Sequence, residues 1–258
     1  MGGGTEMLAV RNVFAGYNGT DVLFDVSFSI DRGQNLSIIG PNGCGKTTLL
    51  RTVSNLIAFK GEVLLEGRSV KKIKRKELAR KIALLSQMAQ VYFTFSVWDT
   101  VMMGRYAHSE GFLSGAGHED KQITEECLRA VHMLDLKNRD IDSLSGGQIQ
   151  RVYLARILVQ QPDVILLDEP TNHLDLAYQA ELTEFLKEWQ RGGERSVVGV
   201  FHDIAHAAGL SDDMLLMDNG KIAAIGKSED IIRSDILNEV YGINVREYMR
   251  KNASIWQL

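Results

Sequence analysis

The sequence predicts an α/β protein with a mostly parallel sheet, an antiparallel β subdomain near the N-terminus and an inserted helical subdomain. Three observations predict this class: apolar and polar residues alternate early in the chain, strand and helix patterns alternate around a glycine-rich loop, and helical spacing dominates the middle. The predicted organisation is a single domain over residues 1–258, with a core at about 6–87 and 161–258 and a helical subdomain at about 88–160.

The first third of the chain has the patterns of strands. Residues 7–14 form one candidate strand. A second is indicated by the alternation of apolar and polar residues, which is typical of a half-buried strand; its apolar members are Phe24, Val26, Phe28 and Ile30. Further strands are predicted at residues 36–39, 62–65 and 83–86.

Helices and buried strands follow along the chain. Helical spacing predicts helices over residues 123–134 and 148–160, and Pro162 ends the second of them. The later predicted elements are strands at 164–167 and 196–201, a helix at 176–190 between them, and a hairpin of 214–217 and 221–225 around Asp218, Asn219 and Gly220.

The composition excludes several classes of protein. The 258 residues are 45% hydrophobic and 24% charged with a formal net charge of -4, which predicts a globular protein without a nucleic-acid partner. Two cysteines cannot form a disulfide framework, which favours a reducing compartment. No stretch approaches the roughly 20 apolar residues that span a bilayer, so a membrane role would depend on a partner.

A glycine-rich motif predicts a phosphate-binding loop. It follows the strand at 36–39 and begins a helix, the context in which backbone amides and the helix dipole hold phosphates. We expect Lys46 to reach the β- and γ-phosphates of a bound nucleotide and the Thr47 hydroxyl to bind Mg²⁺. Cys44 lies near this lysine and this helix N-terminus, which predicts a lowered pKa and a reactive thiol. The motif comprises Gly40, Pro41, Asn42, Gly43, Cys44, Gly45, Lys46, Thr47 and Thr48.

Two further motifs carry candidate chemistry. Asp168 and Glu169 end a buried strand, where open α/β sheets bind ligands. One carboxylate suits Mg²⁺ and the other suits a general base that accepts a proton from water; the alternative is a strand end and turn. The second motif either caps an ordinary helix or lets an anion approach its backbone closely, and it comprises Ser145, Gly146, Gly147 and Gln148.

In this order, the motifs resemble the ATP-binding subunits of ABC transporters over nearly the whole chain. The resemblance implies the ABC ATPase fold with ATP and Mg²⁺ as ligands. It makes Tyr17 the aromatic that stacks on adenine and residues 40–48 the phosphate loop. It makes Gln87 the glutamine that contacts Mg²⁺ and the attacking water. Residues 145–148 correspond to the signature that binds the γ-phosphate of the nucleotide held by the opposite subunit.

The same resemblance gives roles to four residues in the second half. Asp168 corresponds to the metal-associated carboxylate and Glu169 to the catalytic base. Asp175 corresponds to the loop that crosses the dimer interface. His202 corresponds to the histidine that grips the γ-phosphate and orients the base.

The resemblance also implies partners and a location. Two copies close head-to-tail on two ATP molecules, and closure energises transport by a separate polytopic membrane permease. An extracytoplasmic substrate-binding protein acts indirectly through that permease. The subunit is therefore expected at the cytoplasmic face of the cell membrane, held peripherally by the permease, with no nucleic acid involved.

A finer resemblance predicts the type of transport. Residues 95–99, 101–108 and 237–242, with Asp120 and the pair Gln150 and Arg151, resemble subunits that energise import of iron–siderophores, haem or vitamin B12. Ala107 departs from that group, which commonly has proline there. The alternative is a soluble, non-transport ABC ATPase such as an iron–sulfur assembly factor. A small-molecule kinase would share the phosphate loop but would have no use for residues 145–148.

The sequence leaves the role of one aromatic cluster undecided. Aromatic residues follow Gln87, and they either belong to the core or line a cleft that receives a helix of the permease. The cluster comprises Tyr92, Phe93, Phe95 and Trp98.

Overall fold

The computed structural model describes residues 6–86, 95–109, 117–170 and 176–254. These residues form two compact units. The first comprises the described residues up to Lys71 together with those from Val197 onward, and the second comprises those from Lys72 to Ser196. The helical subdomain expected at about 88–160 stays a prediction.

The strands are numbered β1 to β10 along the chain. Their bounds are Glu6–Tyr17 (β1), Thr20–Asp31 (β2), Leu36–Ile39 (β3), Phe59–Leu65 (β4), Arg68–Ser69 (β5), Ile82–Leu85 (β6), Val164–Asp168 (β7), Ser196–Val200 (β8), Asp213–Asp218 (β9) and Lys221–Lys227 (β10).

The α-helices are numbered α1 to α10, and short 3-10 helices lie between some of them. The α-helices are Lys46–Val53 (α1), Arg75–Lys81 (α2), Val97–Met102 (α3), His118–Ala130 (α4), Gly146–Leu158 (α5), Leu176–Trp189 (α6), Ile204–Leu210 (α7), Ser228–Arg233 (α8), Asp235–Tyr241 (α9) and Val245–Ser254 (α10). The 3-10 helices are Val70–Lys72, Met103–Ala107, Leu134–Leu136 and Ile141–Ser143.

The first unit contains an antiparallel sheet and a set of mostly parallel strands. The antiparallel sheet has the order β2-β1-β4-β5, and Val26, Phe28 and Ile30 of β2 face the core, with Phe28 opposite Val10 of β1. Phe24, which the alternation also predicted to be buried, is exposed, and the alternation is interrupted after it at Asp25, where φ is 55°. In the other set, β3 runs parallel to both β8 and β9, and β10 closes the edge antiparallel to β9. The predicted α/β class, with an antiparallel N-terminal part and mostly parallel strands, is confirmed.

The second unit places β6 and β7 side by side in parallel. Leu85 of β6 lies opposite Leu167 of β7, so the carboxyl ends of the two strands lie at the same edge. All five residues of β7 are buried, which explains why its sequence is apolar without alternation. The helix α5 packs against β6 in this unit.

Several element boundaries differ from those predicted, and local contacts explain them. The helix predicted at 123–134 is α4, which begins at His118 because the Asp120 carboxylate accepts the Gly117 N–H at 3.1 Å. It ends at Ala130, two residues before His132 takes a left-handed φ of 55°. The helix predicted from residue 148 begins at Gly146 because Ser145 is its cap. Within the ranges that the structure describes, no helix is long and apolar enough to cross a bilayer.

Candidate functional site

The predicted phosphate loop connects β3 to α1 in the first unit. All four residues of β3 are buried, and φ is 148° at Gly40, 80° at Gly43 and 105° at Gly45, values that glycine adopts at little cost. A Cβ at Gly40 would clash with the carbonyl oxygen of Met217 in β9. The shape of this loop therefore depends on its glycines.

The N-terminus of α1 points its first amides out of the helix. The helix begins at Lys46 directly after the left-handed Gly45, and its first turn carries no acidic residue. The first amides of an α-helix have no partner within the helix, and together with the helix dipole they favour an anion. The β9–β10 hairpin supports the phosphate loop, because the Gly220 N–H in its turn donates to the Cys44 carbonyl at 3.0 Å.

The amine of Lys46 lies inside the loop. Its side chain is only 4% exposed, and Nζ donates to the carbonyl oxygens of Gly40 at 2.7 Å and Pro41 at 3.0 Å. These two bonds keep a positive charge inside the loop. That arrangement attracts a polyphosphate and positions the charge for it.

The sequence predicted a lowered pKa for the Cys44 thiol, and this prediction was wrong. The thiol is 5% exposed, and burial raises its pKa above the ordinary value, while the neighbouring Lys46 lowers it by a smaller amount. Burial disfavours the thiolate because the charged form loses its hydration. The thiol is therefore expected to react slowly, and it behaves as a packing residue of the loop.

Tyr17 ends β1 with an accessible ring. It is 38% exposed, and the guanidinium of Arg51 in α1 donates to its hydroxyl at 3.4 Å. This contact joins the aromatic ring to the helix that begins at the phosphate loop. A partly exposed ring that is fixed at its hydroxyl can stack on a planar base.

His202, the histidine predicted to bind the γ-phosphate, follows β8 at the same edge of the strands as the phosphate loop. Ile38 of β3 lies opposite Val200 of β8 in a parallel pair, and the Phe201 N–H donates to the Ile38 carbonyl at 3.0 Å. Gly40 and His202 therefore leave neighbouring strands at the same end. The His202 side chain is exposed. The next residue, Asp203, begins α7 by accepting the N–H of Ala205 at 2.7 Å.

The two candidate carboxylates lie at the carboxyl end of β7 in the second unit. Asp168 is 5% exposed, whereas Glu169 is half-buried and has φ of 54°. A positive φ is unfavourable for a residue with a Cβ and is concentrated at functional sites. The turn is held by Gln150 of α5, whose amide donates to the Pro170 carbonyl. The fold therefore maintains an unfavourable backbone conformation at Glu169.

The motif at residues 145–148 forms the N-terminus of α5. The Gln148 N–H donates to Ser145 Oγ at 3.4 Å and the Ser145 N–H donates to Gln148 Oε1 at 3.0 Å, which is a complete capping box. Ser145 and Gly146 are exposed. A Cβ built at Gly146 or Gly147 meets no described atom within 4 Å. The glycines are therefore not required by packing inside the described chain, and they leave room above the helix N-terminus.

Two predicted site residues, Gln87 and Asp175, lie outside the described residues, as do Tyr92 and Phe93. The other predicted residues fall into two groups. The first unit carries Tyr17, the phosphate loop and His202, and the second unit carries the capped signature motif, Asp168 and Glu169. Each group lies at strand ends or helix N-termini of its own unit.

Comparison with known families agrees with this arrangement. Residues 23–172 match the family model described as ABC transporter, which is more than half of the chain. The chain belongs to the ABC transporter family. As an ATP-binding subunit of this family, it binds ATP and is an ATPase.

Known ABC proteins are similar over most of their length. The petrobactin import ATP-binding protein YclP of Bacillus subtilis (strain 168) is 36% identical over 93% of this chain and 94% of its own. The ferric enterobactin transport ATP-binding protein FepC of Escherichia coli (strain K12) is 36% identical over 88% of this chain and 84% of its own. The ATP-binding cassette MJ0796, solved as a dimer in a post-hydrolysis state with ADP and phosphate, has a TM-score of 0.76 at 28% identity and covers 86% of this chain and 99% of its own.

Several residues behind the resemblance to subunits for iron–siderophore, haem or vitamin B12 import have structural roles in this ABC ATPase. Arg105 is 7% exposed and its guanidinium donates to the Val159 carbonyl at 2.8 Å, to Gln161 Oε1 at 3.0 Å and to Asp120 Oδ1 at 2.7 Å. The guanidinium holds the pKa of Asp120 below its usual range. At Gly104 a Cβ would clash with the Arg156 carbonyl. These residues tie the second unit together.

Sequence reasoning gave no role to two residues near the nucleotide-binding elements of this ABC ATPase. Arg51 fixes the hydroxyl of Tyr17, and an arginine at the end of α1 gave no local signal for that contact. Burial raises the pKa of Tyr241, at the end of α9, and the backbone of Gly40 in the loop opposes this rise. The sequence separation of about 200 residues makes such a contact invisible to local patterns.

Proposed function

We propose that this ABC ATPase is the motor subunit of an importer for iron–siderophores, haem or cobalamin, and that its predicted site residues perform the hydrolysis. The observation that carries the substrate proposal is the similarity, over most of both chains, to proteins named for import of petrobactin and ferric enterobactin. The alternative, a soluble iron–sulfur assembly ATPase, has no observation in its favour, and both of these relatives are named for transport or import.

Residues of the first unit are proposed to bind ATP. The ring of Tyr17 would stack on the adenine, and the amides of the phosphate loop would hold the phosphates. Lys46 would exchange its bonds to the Gly40 and Pro41 carbonyls for bonds to the β- and γ-phosphates. The support for this role is a buried, loop-bound amine beside an uncapped helix N-terminus.

Mg²⁺ is proposed to be held by oxygen ligands of this chain. This cation prefers a few oxygen ligands, and the Thr47 hydroxyl, the Asp168 carboxylate and Gln87 would each supply one. Bound Mg²⁺ would neutralise charge that develops on the phosphate oxygens. In the chain itself, Thr47 lies in the first turn of α1 and Asp168 ends β7, so each is carried by a regular element.

Glu169 is proposed as the general base. Its carboxylate would accept the proton of the attacking water, His202 would hold the γ-phosphate and orient the glutamate, and Gln87 would contact the same water. The strained φ of 54° at Glu169 supports a functional reason for its conformation. The exposed His202 at the end of β8 is accessible to a ligand.

A second copy of the chain is proposed to complete each site. Residues 145–148 of one copy would bind the γ-phosphate of ATP held by the other, and Asp175 would lie at the interface between the copies. The room above the capped N-terminus of α5 suits an anion that comes from outside the chain. The dimeric form of the similar cassette MJ0796, with ADP and phosphate, supports this arrangement.

A polytopic permease is proposed to dock beside α3, with a substrate-binding protein acting on its extracytoplasmic side. This places the subunit peripherally at the cytoplasmic face of the cell membrane. Phe95 is 41% exposed, Met103 is 38% exposed and Tyr106 is 58% exposed, so these side chains are not core residues. Trp98 is half-buried with the Lys137 amine 5.4 Å from its ring centroid. Exposed aromatic side chains supply anchors that lose little entropy on binding.

Replacing Phe95 tests the docking and the import proposal together. In Phe95→Ala we expect the basal ATPase of the isolated subunit to stay within about twofold, because Phe95 is exposed and is not one of the residues proposed to bind or hydrolyse ATP. In the complex with its co-purified membrane protein, we expect ferric-siderophore uptake and stimulated ATPase to fall by roughly tenfold or more. Uptake of an iron-loaded siderophore by membrane vesicles and phosphate release are the measurements.

The control is Tyr248→Ala, which removes another exposed aromatic ring, 56% exposed, from α10. It should leave uptake unchanged. Loss of basal activity together with stability in Phe95→Ala would show that the ring is structural. Failure of the wild-type chain to co-purify with any polytopic membrane protein, or to support siderophore uptake, would contradict the import assignment itself.

A further inference from the structure

The backbone conformation of Glu169 runs against the preferences of its local sequence. Glu169 has φ of 54°, although it carries a Cβ and the next residue is Pro170. A positive φ is unfavourable for a residue with a Cβ, and a residue before proline prefers an extended backbone. Such a conformation persists only where the surrounding structure holds it in place. The support for Glu169 therefore has to come from contacts with other parts of the fold.

One contact of this kind joins the turn to the interior of α5. The side-chain amide of Gln150 donates to the carbonyl oxygen of Pro170, and both residues are buried. Proline has no backbone N–H, so this carbonyl is the hydrogen-bonding group that the backbone of Pro170 offers. A buried carbonyl that loses its donor bears the cost of its lost hydration. The bond from Gln150 therefore fixes the residue that directly follows Glu169.

The helix that carries Gln150 is itself fixed within the second unit. Val152 and Ala155 of α5 are fully buried, and the helix packs against β6, the strand that pairs with β7. The guanidinium of Arg151 donates to Oε2 of Glu181 in α6 at 2.5 Å. The helix α5 is therefore a fixed support from which Gln150 reaches the turn at the end of β7.

We propose that Gln150 is a positioning residue for Glu169: by holding the Pro170 carbonyl, it keeps the Glu169 carboxylate in the place from which it accepts the proton of the attacking water. The proposal rests on the proposed role of Glu169 as general base. It gives the interior of α5 a part in hydrolysis by its own copy. This part is separate from the one proposed for the N-terminus of the same helix in the site of the other copy.

The test is Gln150→Met, which keeps nearly the length and volume of the side chain and removes its N–H donor. We expect kcat to fall by roughly tenfold or more, because a displaced base loses its alignment with the water. The KM for ATP and the ATP affinity in a nucleotide titration should stay within about twofold, since Tyr17 and the phosphate loop are unchanged. Phosphate release over a range of ATP concentrations separates kcat from KM.

A double variant distinguishes positioning from a general loss of structure. In Glu169→Gln there is no base left to position, so adding Gln150→Met should lower the residual turnover by less than about twofold. A purely structural role of Gln150 would lower turnover by the same factor in both backgrounds. Single-turnover phosphate release with excess protein measures the low rates.

The matched control is Gln160→Met, which removes an amide that donates to the Arg156 carbonyl at 3.3 Å in the same unit, and it should change neither kcat nor KM. Gln150→Leu removes the same donor as Gln150→Met and should give the same separation of kcat from KM. Wild-type kcat in these variants, an equal loss in the two backgrounds, or failure of both variants to fold would overturn the proposal. Wild-type turnover in Glu169→Gln would contradict the base itself, and the proposal with it.

Discussion

Replacing Glu169 by glutamine is expected to lower the turnover of ATP by roughly 10²- to 10⁴-fold while ATP binding persists. The amide has nearly the shape of the carboxylate but cannot accept the proton of the attacking water. A loss of 10³-fold corresponds to about 4 kcal/mol in the activation free energy. The φ of 54° is retained, since glutamine has the same backbone requirements as glutamate, so the fold should not change.

The same variant should accumulate as an ATP-bound dimer. Closure of two copies on ATP would no longer be undone by hydrolysis, so size-exclusion chromatography with ATP and Mg²⁺ should shift the protein to a dimer. Glu184→Gln is the control, because this glutamate of α6 is 75% exposed and its removal changes the charge equally. Hydrolysis at the wild-type rate in Glu169→Gln would remove this residue from the role of base.

Replacing Arg105 by alanine is expected to lower the free energy of unfolding by about 3 kcal/mol. The guanidinium is 7% exposed, and its removal leaves the Val159 carbonyl and Oδ1 of Asp120 without this donor, while Oδ2 of Asp120 keeps its bond from the Gly117 N–H. Partly buried polar groups that lose a partner bear the cost of their lost hydration. Urea unfolding of the purified protein measures the change.

The control for Arg105 is Arg191→Ala, which removes an arginine that is 79% exposed and pairs with Glu188 at 3.2 Å. Such an exposed pair contributes little to stability, so Arg191→Ala should change the free energy of unfolding by no more than about 0.5 kcal/mol.

The effect of Arg105 on stability should also depend on pH. The pKa of Asp120 is lowered in the folded state, so the contribution of this carboxylate to stability is present above its unfolded pKa and is lost as pH falls through the folded pKa. The stability difference between Arg105→Ala and wild type should therefore shrink in acid. Equal stability of the two proteins at neutral pH would contradict the structural role of Arg105.

The sequence predicted the elements whose causes are local. The strand, glycine loop and helix at 36–53 follow from apolar residues, from glycines that take positive φ, and from the lysine that begins α1. The hairpin at Gly220 follows from its turn residues in the same way. The start of α5 also has a local cause, because Ser145 and Gln148 form its capping box.

The features that were missed depend on contacts between distant residues. The pKa of Cys44 is decided by burial, which prevails over the charge of its neighbour Lys46, and local sequence showed only the charge. The three bonds of Arg105 reach residues as far along the chain as Gln161. Gly40, whose backbone lowers the pKa of Tyr241, is separated from it by about 200 residues along the chain. The positive φ of Glu169 is maintained by the surrounding turn, and its sequence gave no sign of it.

Each ATP site is proposed to be completed by a second copy of the chain, and mixing two inactive variants tests this arrangement most directly. Lys46→Ala removes the phosphate-binding amine. Gly146→Asp places a negative charge above the signature, where a Cβ meets no described atom within 4 Å, so α5 should still form. Each homodimer has two defective sites.

A mixed dimer has one site with an intact loop from the Gly146→Asp copy and an intact signature from the Lys46→Ala copy. We therefore expect ATP hydrolysis to appear on mixing, greatest at equal amounts of the two variants, while either variant alone stays nearly inactive. Mixing that restores no activity, or near wild-type hydrolysis by Gly146→Asp alone, would contradict a site shared between two copies.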